Sequence, residues 1–115
     1  MLHELHIYDK SLTSIEIGLK TIELRLHDEK RSKIKVGDYI RLLSIEIPTH
    51  TVLCKVTNLS IYNTFKELYE NMPLLKCGYT KDNIDKASYK DMEQYYSIEK
   101  QKKYGVVGIE LKVIS

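Results

Sequence analysis

Hydrophobic and polar positions alternate along several stretches of this chain. Over residues 2–7, Leu2, Leu5 and Ile7 stand among polar neighbours, a loose alternation that predicts a first strand. Asp9 or Ser11 then suits the cap of a short helix with Leu12 and Ile15 on one face. Gly18 stands where a left-handed C-terminal cap would fall. The clearest pattern comes next: over residues 21–26, Thr21, Glu23 and Arg25 share one face of a strand while Ile22, Leu24 and Leu26 share the other. This period of two predicts a half-buried strand whose apolar face makes core and whose polar face is shown to solvent. A charged loop, residues 27–35, leads through the turn signal Val36-Gly37-Asp38 to an apolar strand over 39–45.

Pro48 breaks the chain, and residues 51–61 read as a long strand with Val52, Cys54 and Val56 on one face and Leu53, Lys55 and Thr57 on the other. Thr64 caps a helix over 65–70, packed by Phe65, Leu68 and Tyr69 and ended by Asn71-Met72-Pro73. Residues 76–103 are polar and tyrosine-rich. A helix is predicted there over 88–96, where Met92 and Tyr95 or Tyr96 recur at helical spacing. Gly105 stops it, and Val107, Ile109, Leu111 and Val113 alternate along a final strand over 106–114. Five strands with helices after the first and fourth give an α+β domain, and glycine-marked corners suit a small barrel, which also removes exposed strand edges. Strand order stays open.

A chain of 115 residues is the usual size of one domain, so a single domain over 1–115 is expected. With 43% hydrophobic and 30% charged residues, it has the composition of a globular chain and not of a disordered one. No apolar run of about 18 residues is present, which excludes a membrane-spanning helix, and the polar start Met1-Leu2-His3-Glu4 lacks the apolar core of a signal peptide. The cytoplasm is the expected compartment, with Cys54 and Cys77 reduced. Neither cysteine has a second cysteine or a histidine near it. His3 and His6 fall on opposite faces of a strand, and His27 and His50 are isolated, so no metal or other cofactor is expected.

Net charge is only +2, but its distribution is uneven. Between Lys20 and Arg41 stand seven basic residues (Lys20, Arg25, Lys30, Arg31, Lys33, Lys35 and Arg41) against four acidic ones. Such a stretch is either a solvated loop between strands or a rim that attracts phosphate. Of the nine tyrosines, seven lie from Tyr62 onward. Most are expected to pack the helical insert against the barrel. Tyr79 and Tyr89, among polar neighbours, are the candidates for stacking on an unpaired base.

The ordered set Gly18-x-Lys20-Thr21-x-Glu23-x-Arg25 and Ile34-Lys35-Val36-Gly37-Asp38-x-Ile40 resembles the signature of the ASCH domain family, a branch of the PUA-like β-barrels. The resemblance continues through Phe65-Lys66-Glu67-Leu68, Tyr95-Tyr96-Ser97 and Tyr104-Gly105-Val106-Val107-Gly108-Ile109-Glu110, covering nearly the whole chain. It implies a mixed barrel of five or six strands with inserted helices and a cleft beside the strand that carries Lys20, Thr21, Glu23 and Arg25. It also implies RNA-related work: RNA binding, ribonuclease activity in some members, and amide hydrolysis on acetylcytidine in another branch.

As chemistry, Arg25 offers a planar fork for phosphate or carboxylate, Lys20 a point charge, and Glu23 lies two residues from Arg25 on the same strand face. In the acetylcytidine amidohydrolases of this fold, a lysine at the position of Lys20 works with a threonine at the position of Glu23 and a glutamate further along. This chain keeps the lysine but carries Glu23, and Asp82, Asp85 and Glu93 remain open as stand-ins for the distant glutamate. The leading expectation is therefore binding of RNA or a modified nucleoside by Lys20, Thr21, Glu23 and Arg25, with Tyr79 and Tyr89 as stacking groups. The competing expectation is a small hydrolase of RNA phosphodiesters or of an acylated nucleobase, with Lys20 and Glu23 as the reacting acid–base pair.

Overall fold

Five strands form where β-branched and leucine residues alternate with polar ones: β1 Leu2–Ile7, β2 Ile22–Leu26, β3 Tyr39–Ser44, β4 Thr51–Tyr62 and β5 Val106–Val113. They were located in a computed structural model that describes residues 1–114 of the protein. The sheet order is β1-β3-β4-β5-β2. Only β1 and β3 run parallel; the other three pairings are antiparallel. The long β4 pairs with β3 through its first half and with β5 along most of its length. A bulge between Val56 and Asn58 bends it, and the sheet curls into a half-barrel. The expected barrel thus has five strands but no ladder between β1 and β2, which are its two edges.

Helix α1, Asp9–Glu16, follows β1 and buries Leu12 and Ile15 inside the curl against Leu5, Ile40, Leu42, Val52, Val56 and Ile109. Burial of two such side chains contributes about 1.5–3 kcal/mol each. The expected cap is not formed. Tyr8 occupies the N-cap position without a side-chain bond, and the Asp9 N–H instead donates to Glu46 Oε1 at 2.8 Å. Asp9 and Ser11 lie within the helix, and a carboxylate from the β3–β4 hairpin does the capping. Gly18, at φ +86°, reverses the chain as its position suggested.

A second core lies on the other face of β2, where Ile22, Leu24 and Leu26 meet Phe65, Leu68, Cys77 and Val106. Helix α2, Phe65–Asn71, is capped by Thr64, whose hydroxyl accepts from the Glu67 N–H. The tyrosine-rich insert differs from expectation. Its one long helix over 88–96 is a short 3₁₀ segment, Tyr89–Gln94, and the α-helix comes later as α3, Ile98–Tyr104, capped by Ser97. Gln101 explains the shift: its buried amide accepts from the Phe65 N–H at 3.0 Å and donates to the Tyr96 carbonyl, tying α3 to the start of α2. Cys54 and Cys77 are free and buried in different cores. Among the described residues, no helix is long and apolar enough to cross a membrane.

Candidate functional site

The polar face of β2 is not at the surface. Glu23 is 5% exposed, and Lys20 and Arg25 are each 9% exposed, so the expected solvent face is a buried one. The physical reason lies in the curl. The apolar face of β2 packs outward against α2 and Cys77, while its other face looks across the open seam toward β1 and lies under the tyrosine-rich insert. A cavity of about 710 Å³ occupies this space, lined by residues of β1, α1, β2, α2 and the insert.

Three charges form its floor. Lys20 Nζ lies 2.8 Å from Glu23 Oε1, and Arg25 Nε donates to Glu23 Oε2, also at 2.8 Å. The Arg25 Nη2 group donates to the His6 carbonyl at 2.6 Å, which joins the two edge strands that the sheet leaves unpaired. Among the described residues, Nη1 has no protein acceptor. Burial by itself raises the Glu23 pKa, but the Lys20 and Arg25 charges more than reverse this and hold the carboxyl below its usual range.

The opposite wall is aromatic. Tyr69 and Tyr79 meet edge to face with their hydroxyls 2.7 Å apart, and the Tyr79 hydroxyl donates to Asp91 Oδ2 at 2.6 Å. Burial, followed by the bonds to Asp91 and Tyr69, raises the Tyr79 pKa, so its phenol stays a donor. Tyr96 stacks on Phe65, and Tyr95 stands at the mouth, 6.3 Å from Tyr8 between ring centroids. The Cys77 thiol also lines the cavity. Burial pushes it up to about 11 against the opposing effect of Lys20, which leaves it protonated.

Among the residues singled out from sequence, Lys20, Glu23, Arg25 and Tyr79 thus converge on one cavity. Thr21 lies beside it and acts through its backbone: its N–H donates to the Lys76 carbonyl, and its carbonyl accepts from the Leu111 N–H. Tyr89 packs half-buried against the second core and does not line the cavity. Asp82, Asp85 and Glu93 are exposed and outside the lining; the carboxylate on the cavity wall is Asp91. A local signal marked it, because Ser88-Tyr89-Lys90-Asp91 forms a capping box in which the Asp91 carboxylate reaches back to the Ser88 N–H. The part played by the His6 carbonyl has no sequence signal, since any residue supplies a backbone oxygen. Among the described residues, no cluster of three His, Cys, Asp or Glu side chains could hold a metal ion.

The ASCH domain family model matches residues 5–115 of the chain. The chain belongs to the ASCH domain family. Hypothetical protein PH0355, known from a crystal structure, is 34% identical with a TM-score of 0.81 over 99% of this ASCH domain and 100% of that chain. Protein PF0455 from Pyrococcus furiosus, known from a solution structure, is 31% identical with a TM-score of 0.75 over 100% of this chain and 99% of that one. The ASCH protein of Zymomonas mobilis shares the fold at a TM-score of 0.65 and 10% identity, over 95% of this chain and 65% of that one. The search of curated proteins finds no match. The PUA-like fold expected from the signature residues is therefore the fold of this ASCH domain.

Proposed function

We propose that this ASCH domain binds an unpaired base of RNA or a modified nucleoside in the cavity floored by Lys20, Glu23 and Arg25. The observation that carries the reading is the burial of three charges beneath an aromatic wall. Buried ion pairs are poor stabilisers: replacing them with well-packed apolar residues is often neutral or favourable. Arg25 also ties the two edge strands, but fold stability alone gives little reason to keep Lys20 and Glu23 at the bottom of a cavity. A few convergent polar groups under apolar and aromatic walls, in a space of roughly 300–1,000 Å³, is the ordinary form of a small-ligand site. Tyr79 and the exposed Tyr95 offer faces on which a base can stack, the floor offers hydrogen bonds to its edge, and the family resemblance to RNA-linked proteins points the same way.

The geometry favours binding over the hydrolase alternative. A general base works best with a pKa near the operating pH, and the Lys20 and Arg25 charges move Glu23 away from it. The test is titration of the purified protein with short single-stranded RNA, ribonucleosides and acetylcytidine, each followed both for affinity and for product. Binding without turnover, weakened roughly tenfold by Tyr95→Ala through lost stacking, is expected. Turnover of RNA or acetylcytidine that disappears in Lys20→Met would replace this reading with the hydrolase, and absence of binding by all ligands would end both.

A further inference from the structure

We infer that the floor of the cavity is a subsite for the phosphate group of a nucleotide, so that the phosphate enters first and the base lies against the tyrosine wall. The inference rests on the nucleoside reading above and adds to it the charge of the ligand and its direction of entry.

Lys20 and Arg25 bring two positive groups to the floor, and Glu23 is the sole buried carboxylate among the described residues. Two further charged side chains line the cavity, Lys10 and Asp91, so its lining carries three cations against two carboxylates. Asp91 Oδ2 accepts from the Tyr79 hydroxyl and the Ser88 N–H, Glu46 accepts from the Asp9 N–H, and Asp9 and Glu16 both contact His50. The His6 carbonyl satisfies one guanidinium N–H but carries no charge. One positive charge of the lining is therefore left without a counter-charge. A buried charge without a partner is expensive, and an entering anion removes that cost.

The hydrogen-bond inventory agrees. An ammonium group has three donors and a guanidinium five. Among the described residues, Glu23 Oε1 is the one acceptor found for Lys20 Nζ, and Arg25 Nη1 has none. Unused N–H groups of both side chains thus border the same space. A carbonyl oxygen would engage one or two of them, whereas a phosphate has three strong acceptor oxygens and gains from charge-assisted, forked contacts with arginine.

Calorimetric titration with the four common ribonucleosides, their 5′-monophosphates and inorganic phosphate, at one fixed salt concentration, tests this. At least one monophosphate is expected to bind about tenfold or more tightly than its own nucleoside, as a close charge pair away from water allows. In Lys20→Met, where the Arg25–Glu23 pair leaves the floor neutral, this ratio is expected to fall toward one. In Glu23→Gln, which removes the negative charge from the floor, it is expected to rise. Because the two variants move the ratio in opposite directions, general loss of folding cannot imitate the result. Equal binding of nucleoside and monophosphate, or ratios that the variants leave unchanged, would overturn the phosphate subsite while leaving nucleoside binding in place. Binding of neither class would overturn both, and inorganic phosphate binding as tightly as any nucleotide would overturn the nucleotide assignment.

Discussion

Arg25 Nη2 donates to the backbone carbonyl of His6 at 2.6 Å, across the seam between the two edge strands of the half-barrel. The same guanidinium donates through Nε to Glu23, so one side chain both closes the sheet and orients the carboxylate at the cavity floor. Arg25 therefore belongs to the fold as much as to the site. The His6 carbonyl lies on a sheet edge, where no neighbouring strand pairs with it, and Arg25 supplies the donor.

Arg25→Met should accordingly destabilise the protein by roughly 1–3 kcal/mol, because it takes the donor from the His6 carbonyl while Glu23 keeps Lys20 as its partner. Urea unfolding measures this. A loss below about 0.5 kcal/mol, typical of surface substitutions, would show that the guanidinium is not part of the closure.

Glu23 makes the fold sensitive to acid. Its folded pKa is lowered below the unfolded value of about 4.3, so its contribution is present above that pH and is lost as the pH falls through the folded pKa. Asp38, held down to about 2 by His3, the Lys35 N–H and the N-terminal amine, acts in the same direction. Melting temperature followed from pH 6 to pH 3 should fall more gently in Glu23→Gln than in the parent. Asp38→Asn provides a variant remote from the cavity for comparison.

His50 acts at the other end of the pH scale. Its Nδ1 contacts Asp9 at 2.6 Å and its Nε2 contacts Glu16 at 3.0 Å, which clasps the loop before β4 to both ends of α1. The Asp9 bond, then the Glu16 bond, raises the His50 pKa above its usual 6.5. Stability from this clasp is complete below about pH 6.5 and is lost as the pH rises through the folded value. Between pH 6 and pH 9 the parent should lose melting temperature that His50→Gln does not lose.

Gly78→Ala should cost about 1–3 kcal/mol, because φ +114° is a conformation that side-chain-bearing residues rarely adopt. The added methyl group would lie at ordinary van der Waals distance from Lys20, so the cost is backbone strain and not a clash. Thermal unfolding reads it directly, and a variant as stable as the parent would remove the strain argument.

Much of the architecture was legible along the chain. The alternation in β1, β2 and β5, the Thr64 cap and the turns at Gly18 and Gly37 are local features that do not depend on distant contacts. The insert was harder to read. Ser88 begins a short 3₁₀ segment where a longer helix was expected, and α3 is placed by Gln101 meeting the Phe65 N–H, a contact between residues 36 positions apart. Tyr79 and Tyr89 looked alike among polar neighbours, yet one lines the cavity and the other packs on the second core.

The sequence by itself determined that β2 has two chemically different faces, that Lys20, Glu23 and Arg25 share one neighbourhood, and that the chain carries the ASCH signature. Only the tertiary structure decided that the charged face is buried. A period of two tells the faces of a strand apart but not which of them another layer will cover. Here the curl of the sheet brings β1 opposite β2, and the tyrosine-rich insert roofs the space between them. The charges gain their close partners, and the cavity its floor, from contacts among residues far apart in the chain.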